Sequence, residues 1–479
     1  MSTPAPTTEQ RARLDRLIGS EPALVDLGRR FAEAGHELAI VGGPVRDALM
    51  GRDGQDWDLT TDARPEQIDA VVDGWTDARW DVGREYGTVA MRRGDAHIEI
   101  TTYRSDEYDQ TSRKPQVRFG DSLDGDLSRR DLAINAMAVR LPSGEFVDKF
   151  GGLDDLAAEV VRTPVAAGIS FGDDPLRMMR AARFVAQLGF TAHPEVVTAM
   201  KAMADRLDIV SAERVRDELV KLLCAQRPVD GLRLLVDTGL AEQMLPELPA
   251  LVLERDEHHR HKDVYEHSLT VLEQAIELED RLPDGGADLV TRLAALLHDI
   301  GKPKTRRFQA GGTVTFHHHD VVGAKLARKR LRALRFDNVT VDAVAKLVEL
   351  HLRFHGYGSG EWTDSAVRRY VRDSGDQLER LHILTRADCT TRNRQKATRL
   401  QRTYDELEAR IAVLREQEEL DAMRPDLDGN QIMQILGIGP GRDVGDAYRF
   451  LLELRMEEGP KTESEAAEAL KAWWAERSP

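Results

Sequence analysis

Asp56-Trp57-Asp58 sets two carboxylates two residues apart, followed by Leu59-Thr60. In a strand, alternate side chains share a face, so both aspartates point one way while Trp57 and Leu59 turn into a core. Carboxylates side by side repel unless a cation lies between them, and hard oxygen ligands suit Mg²⁺, which also gathers substrate phosphates. Upstream, Ala39-Ile40-Val41 leads into Gly42-Gly43-Pro44-Val45-Arg46-Asp47. Glycines let backbone N–H groups approach a phosphate, proline suits the first turn of a helix, and Arg46 can reach the same anion. Standing alone, the glycine pair is also compatible with an ordinary strand-to-helix turn, and the aspartates with an exposed acidic strand edge. Glu99 shares a strand face with His97 and Thr101. It is a third acidic candidate near the metals or simply an exposed strand residue.

A second constellation is built on histidine. Of the 14 histidines, 11 lie between His258 and His382. His298-Asp299 closes the helical run TRLAALLHDIGK, where Gly301 reads as a helix stop with Pro303 beyond it. Imidazole with carboxylate is a mixed ligand set typical of Mn²⁺, Fe²⁺, Ni²⁺ or Zn²⁺. His267, His319, His351 and Asp388 fall on other helical segments of the same region.

The elements that must carry these groups change character along the 479 residues. Residues 38–148 read as mixed α/β, with strand-like runs at 38–41, 56–60, 88–92 and 97–104 between Gly- and Asp-rich turns. From about residue 174 the apolar spacing is helical, as in Tyr404, Leu407, Ile411 and Leu414. At 41% hydrophobic residues the chain can build several cores. The first twenty residues show no apolar signal core, and no run approaches the roughly 18 apolar residues of a membrane span. Cys224 and Cys389 are too few and too distant for a disulfide framework, which points to a reducing cytoplasm. The net charge of −16 weighs against a nucleic-acid partner, yet residues 325–335 and 392–402 are densely cationic. Such a stretch is more often a solvated helix face than a binding patch, and a polyanion can still dock there.

With its DWD about ten residues later, GGPVRD resembles the head motif of polymerase-β-like nucleotidyltransferases. Arg129-Arg130-Asp131-Leu132-Ala133-Ile134-Asn135-Ala136-Met137-Ala138 resembles the RRDFTINAMA motif of the CCA-adding enzymes and their poly(A) polymerase relatives. Residues 148–156 and 211–223 resemble the hinge-like stretch and neck helix that follow in that family. The resemblance implies an α+β fold: a small mixed-sheet head, then an all-α neck, HD and tail region. Expected boundaries are 1–37 for an N-terminal helical extension, 38–165 for the head, 166–250 for the neck, 251–400 for the HD domain and 401–479 for a tRNA-binding tail. It implies that Asp56 and Asp58 hold two Mg²⁺, and that Gly42, Gly43, Arg46, Arg130 and Asp131 (a ribose contact) bind the nucleotide. It further implies in-line attack of a tRNA 3′-hydroxyl on the α-phosphate, with pyrophosphate leaving.

The stretch Asp173-Asp174-Pro175-Leu176-Arg177 resembles the family's EDPLR, whose aspartate and arginine select the base; Arg180 and Arg183 match further nucleotide-contacting arginines. Asp174 and Arg177 lie three apart and are expected to share a helix face. Cytosine and adenine each present an amine donor beside a ring-nitrogen acceptor. A carboxylate accepts from the first and a guanidinium donates to the second, whereas uracil and guanine reverse the order. CTP and ATP are therefore the expected substrates. Arg104 to Asp109 with Arg113-Lys114-Pro115 is similar to a loop of full CCA-adding enzymes, which favours addition of all three nucleotides. The histidine spacing resembles the HD phosphohydrolases: His267, His298, Asp299 and Asp388 as the minimal metal set, His319 and His351 as the pair of two-metal members. His317 and His318 leave open which of three neighbours faces that site. A phosphohydrolase acting on RNA ends is implied. Oligomeric state is left open, and no membrane partner is expected.

Overall fold

The computed structural model describes residues 5–52, 56–80, 83–104, 119–120, 122–252, 263–283, 285–309, 314–356, 362–390, 394–418 and 424–477. It divides into two compact units, Met1–Pro249 and Ala250–Pro479. The architecture is the expected α+β one.

The first unit opens with helices α1 (Thr8–Ser20) and α2 (Pro22–Glu33). A seven-stranded mixed sheet follows, built from β1 (Leu38–Val41), β2 (Asp56–Thr61), β3 (Ala78–Trp80), β4 (Thr88–Arg93), β5 (Ala96–Thr102), β6 (Met137–Leu141) and β7 (Phe146–Asp148). Helices α3 (Gly43–Leu49), α4 (Pro65–Val72) and α5 (Leu123–Ser128) interrupt the strands. The sheet order is β3-β4-β5-β2-β1-β6-β7, and β2 pairs with β5 in parallel. Alternation decides the faces: Trp57, Leu59, Ile98 and Ile100 are buried while Asp56, Asp58 and Glu99 are exposed. Leu14, Leu24, Leu27 and Phe31 from α1 and α2 lie in the same apolar core as Ile40, Leu59 and Ile98. The strand read at 97–104 stops at Thr102, and Arg104 makes an isolated bridge with Phe119. Strand β6 begins at the end of the LAINAMA stretch and pairs with β1.

The rest of this unit is α6 (Gly152–Ala157), α7 (Ala167–Asp173), α8 (Leu176–Leu188), α9 (Pro194–Met203), α10 (Ala212–Leu223), α11 (Pro228–Asp237) and α12 (Leu240–Met244), with a two-residue strand pair, β8 (Val160–Val161) and β9 (Thr191–Ala192). Helix α8 turns charge inward. Arg180 Nε and Nη2 bind Asp131 Oδ2 at 2.8 and 2.6 Å, and its Nη1 lies 3.4 Å from Glu218 Oε1. Arg183 Nε donates to Glu218 Oε2 at 2.7 Å. A ladder Asp131–Arg180–Glu218–Arg183 thus ties the end of the head to α8 and α10.

Among its described residues, the second unit is helical apart from the strand pair β10 (Arg307–Phe308) and β11 (Val314–Thr315). Its helices are α13 (Val264–Glu277), α14 (Leu289–Leu297), α15 (Lys302–Thr305), α16 (His319–Ala333), α17 (Asn338–Leu350), α18 (Asp364–Ser374), α19 (Leu378–Ala387), α20 (Arg394–Glu418), α21 (Gly429–Leu436), α22 (Arg442–Glu458) and α23 (Glu463–Arg477). Tyr404, Leu407, Ile411 and Leu414 are buried along α20, as their spacing requires. Leu427, Ile432, Ala447, Leu451, Ala466 and Leu470 form a separate core across the last three helices. Among the described residues, no helix is long and apolar enough to cross a membrane.

Glu218 is the ladder's shared anion and is only 4% exposed. Removing its charge leaves Arg183 buried without a counter-ion, and breaking one partner of a buried pair costs about 3–5 kcal/mol. Glu218→Gln is therefore expected to lower the urea midpoint of the first unit's unfolding substantially; an unchanged midpoint would show that the ladder carries no stability.

Candidate functional site

The acidic face of the sheet is assembled by the parallel register of β2 and β5, which sets Asp58 opposite Glu99 and Asp56 opposite His97. Glu99, left undecided from sequence, shares this face. Desolvation pushes the Asp58 carboxyl up, Arg130 opposes it, and Asp56 adds to the rise. Glu99 is pushed up by desolvation and then by the charges of Asp58 and Asp56. Three crowded carboxylates, two of them disfavoured as anions, form a hard-oxygen donor set suited to Mg²⁺. Gly42 borders it with φ of 75°, and a Cβ there would lie 3.1 Å from Arg130 Nη1 and 3.9 Å from Asp58 Oδ2. Only glycine takes this backbone without strain and leaves room for the arginine.

Neighbouring carboxylates behave oppositely. Asp126, on α5, is 1% exposed and accepts from Thr60 Oγ1, Arg129 Nε and Arg130 Nη2 at 3.2, 3.3 and 3.2 Å. Burial pushes its carboxyl up, but Arg130 and Arg129 outweigh this and hold it below the ordinary range. Asp131 is likewise held low: burial is outweighed by Arg180, the Asn135 amide (3.1 Å) and the Leu132 N–H (2.8 Å). Arg46 is committed to Asp47 at 2.8 and 2.9 Å and to Asn135 Oδ1 at 2.7 Å, with its guanidinium over the Phe184 ring. Gly43 stands between Gly42 and this arginine.

The expected common helix face for Asp174 and Arg177 is corrected. Asp174 precedes Pro175 and is extended, φ −139° and ψ 103°, because the residue before proline is disfavoured in the α region. Helix α8 starts only at Leu176. Asp174 Oδ1 accepts from the Leu176 N–H at 3.1 Å and Oδ2 from Arg214 at 2.8 Å. Arg177, inside the first turn, is buried and donates to Ser170 Oγ at 3.0 Å and the Arg129 carbonyl at 2.5 Å. Each member of the pair has anchors of its own.

Sequence reasoning missed Glu218, Asp126, Asn135 and Arg214. Glu218 had a signal: it sits within the apolar stripe Val215, Leu219, Leu222 of α10, where a carboxylate needs a buried partner. The loop motif from Ser105 to Pro115 lies outside the described residues.

In the second unit, His267 (α13), His298 and Asp299 (after α14), His319 (start of α16), His351 (end of α17) and Asp388 (end of α19) converge. His267 Nε2 lies 2.9 Å from Asp388 Oδ1 and 3.6 Å from Asp299 Oδ2; His298 Nε2 lies 3.3 Å from Asp299 Oδ2 and His319 Nε2 3.3 Å from Asp299 Oδ1. Three rings donate Nδ1–H to a backbone carbonyl three residues back, Ala295 at 2.8 Å, Phe316 at 2.8 Å and Val348 at 2.6 Å. That leaves their Nε2 lone pairs aimed inward, and those of His319 and His351 are buried without a hydrogen-bond partner. Burial pushes His351 down to about 4, which favours the neutral imidazole that can ligate. Two groups, His267-His298-Asp299 and Asp299-His319-His351, each hold ligand atoms within 4.8 Å of one another, with Asp299 common to both. The donor chemistry fits one or two divalent transition ions. His317 and His318 are exposed, which identifies His319 as the inward member.

Gly301 is not a left-handed helix stop. Its φ is −77°, and a Cβ would lie 2.0 Å from the His319 carbonyl and 2.7 Å from Gly323 N. The glycine allows the chain after His298-Asp299 to cross the start of α16 at contact distance, which brings the two ligand groups together. Gly301→Ala is expected to weaken transition-metal retention by about tenfold or more, read by elemental analysis after dialysis; wild-type metal content would show that this crossing does not set the site.

The "Poly A polymerase head domain" model matches residues 38–162, a "Probable RNA and SrmB- binding site of polymerase A" model residues 189–251, and the HD domain model residues 264–393. The A-adding tRNA nucleotidyltransferase of Deinococcus radiodurans is 34% identical over 451 residues, 92% of this chain and 96% of that one. The CCA-adding enzyme of Bacillus subtilis is 41% identical over 217 residues, 45% of this chain and 53% of its own length, so that match spans about half of the Bacillus protein. The fold is shared with the Bacillus stearothermophilus CCA-adding enzyme solved in complex with CTP, at a TM-score of 0.69 and 24% identity over 95% of this chain and 99% of that one. It is also shared with the Thermotoga maritima CCA-adding enzyme complexed with tRNA, at 0.62 and 20% over 96% and 98%. On this near-full-length likeness, the chain belongs to the tRNA nucleotidyltransferase and poly(A) polymerase family, with an HD domain after its catalytic head.

Proposed function

We propose that this chain, in the cytoplasm, adds C, C and A from CTP and ATP to the 3′ end of tRNA without a nucleic-acid template. The observation that carries the reading is the carboxylate face of Asp56, Asp58 and Glu99 bordered by Gly42 and Arg130. Asp56 and Asp58 hold Mg²⁺, with Glu99 completing the acidic face. Bound Mg²⁺ would supply charge neutralisation at the α-phosphate and ease deprotonation of the tRNA 3′-hydroxyl. Gly42 and Gly43 let the backbone approach the triphosphate, and Arg130 meets its charge. Asp131 acts on the nucleotide through Arg180, which it grips, and Arg183 is the strut beneath. Asp174 and Arg177 read the amine and ring nitrogen that C and A share. Arg46 braces the glycine turn through Asp47 and Asn135. The domain organisation proposed is a head over 38–165 with the helical extension 1–37 packed into its core, a neck over 166–250, an HD domain over 251–400 and a tail over 401–479 that binds tRNA.

A second reading, addition of the terminal A alone, is favoured by the Deinococcus radiodurans relative, which is named A-adding and aligns over nearly the whole chain. At the HD site, His267, His298, Asp299 and Asp388, with His319 and His351, hold one or two divalent transition ions. The reaction proposed there is hydrolysis of phosphate esters at RNA ends.

One pair of substrates separates the readings. A tRNA transcript lacking its last three bases and another ending in CC are incubated with Mg²⁺, CTP and ATP, and their 3′ ends sequenced. CCA on the first transcript supports the main reading, a single A on the second alone supports the narrower one, and no extension of either contradicts both. Asp56→Ala is expected to abolish incorporation with an unaltered melting temperature; persistent incorporation would remove the metal role. His298→Ala is expected to abolish Mn²⁺- or Ni²⁺-dependent release of phosphate from 3′-phosphorylated RNA. Wild-type protein that releases none under those conditions would remove the hydrolase assignment.

A further inference from the structure

A carboxylate that reads a base must have its oxygens aimed, and the Asp174 side chain has little of its own to aim it. The terminal torsion of aspartate is broad and roughly two-fold. One hydrogen bond leaves the carboxylate swinging, whereas one to each oxygen fixes its plane. Asp174 has both: the Leu176 N–H at 3.1 Å on Oδ1, from α8, and Arg214 Nη2 at 2.8 Å on Oδ2, from α10. Each oxygen keeps a second lone pair, so a base amine is accepted without displacing Arg214.

The start of α10 is itself fixed. Ser211 caps it, accepting the Arg214 N–H at 3.4 Å, so the arginine projects from an anchored first turn. Arg177 is held by another set of contacts, Ser170 on α7 and the carbonyl of Arg129. The two side chains of the reading pair thus both sit at the start of α8 but have different partners, Leu176 and Arg214 for Asp174, Ser170 and Arg129 for Arg177. Arg214, with a side chain 54% exposed, holds no other part of the core.

We infer that Arg214 is a specificity-determining positioning residue: by fixing the Asp174 carboxylate it makes the site accept C and A and reject U and G. This rests on the base-reading role proposed above for Asp174 and Arg177.

The test measures kcat and KM for CTP, UTP, ATP and GTP with the full chain and a tRNA acceptor, for wild type, Arg214→Ala, Arg214→Lys and Asp174→Ala. Arg214→Ala is expected to lower the preference for CTP over UTP, and for ATP over GTP, by about tenfold, mainly through KM of the correct nucleotides. Arg214→Lys, which keeps a cationic donor, is expected to recover most of that preference. A purely structural role would weaken all four nucleotides alike and leave both ratios intact, which would overturn the inference. If Asp174→Ala relaxes the ratios while Arg214→Ala does not, Arg214 is excluded and base reading by Asp174 stands. If Asp174→Ala also leaves them intact, the base-reading proposal falls and this inference with it.

Discussion

A guanidinium taken out of water is costly unless a carboxylate meets it, and the arginines of α8 set that requirement for the whole neck. Arg180 and Arg183 face inward, so Asp131 and Glu218 must face them. Asp131 comes from the end of the head and Glu218 from α10. Satisfying two charges therefore fixes three segments against each other. Because hydrogen bonds between ionised groups are directional as well as strong, the ladder fixes angles that apolar packing alone would leave looser.

Around this fixed frame, the carboxylates divide by what they face. Asp126 and Asp131 meet arginines and are held low. Asp58 and Glu99 are pushed up, first by desolvation and then by neighbouring carboxylates, Asp56 for the first and both aspartates for the second. The same contrast recurs in the second unit, where backbone carbonyls take the Nδ1–H of three histidines and leave Nε2 directed at Asp299 and its neighbours. In both places side chains able to ligate a cation converge on one centre.

Local rules made part of this legible in the sequence. Period-two alternation predicted that Asp56 and Asp58 share a face, and three-four spacing predicted the buried seam of α20. The resemblance to HD phosphohydrolases singled out the six side chains that converge in the second unit. What stayed open or escaped depended on residues distant in sequence: Glu99, an undecided candidate, joins the acidic face through the β2–β5 register, and Asp126 looks like a surface acid until the arginines beside it are placed. Asp174 was misplaced because the conformational bias before Pro175 outweighs simple helical spacing. Gly301 was misread because a close backbone crossing and a helix stop both call for glycine, and only the partner segment tells them apart.

The central claim is that Asp131 acts on the nucleotide through Arg180 and not as an independent contact. A double-mutant cycle with Asp131→Asn, Arg180→Gln and the pair, read as the dissociation constant of CTP, tests it directly. Dependence of one residue on the other predicts that the double variant binds little worse than the worse single, with a coupling energy of at least about 1 kcal/mol. Additive losses would contradict the account and make the two residues separate ligands of the nucleotide.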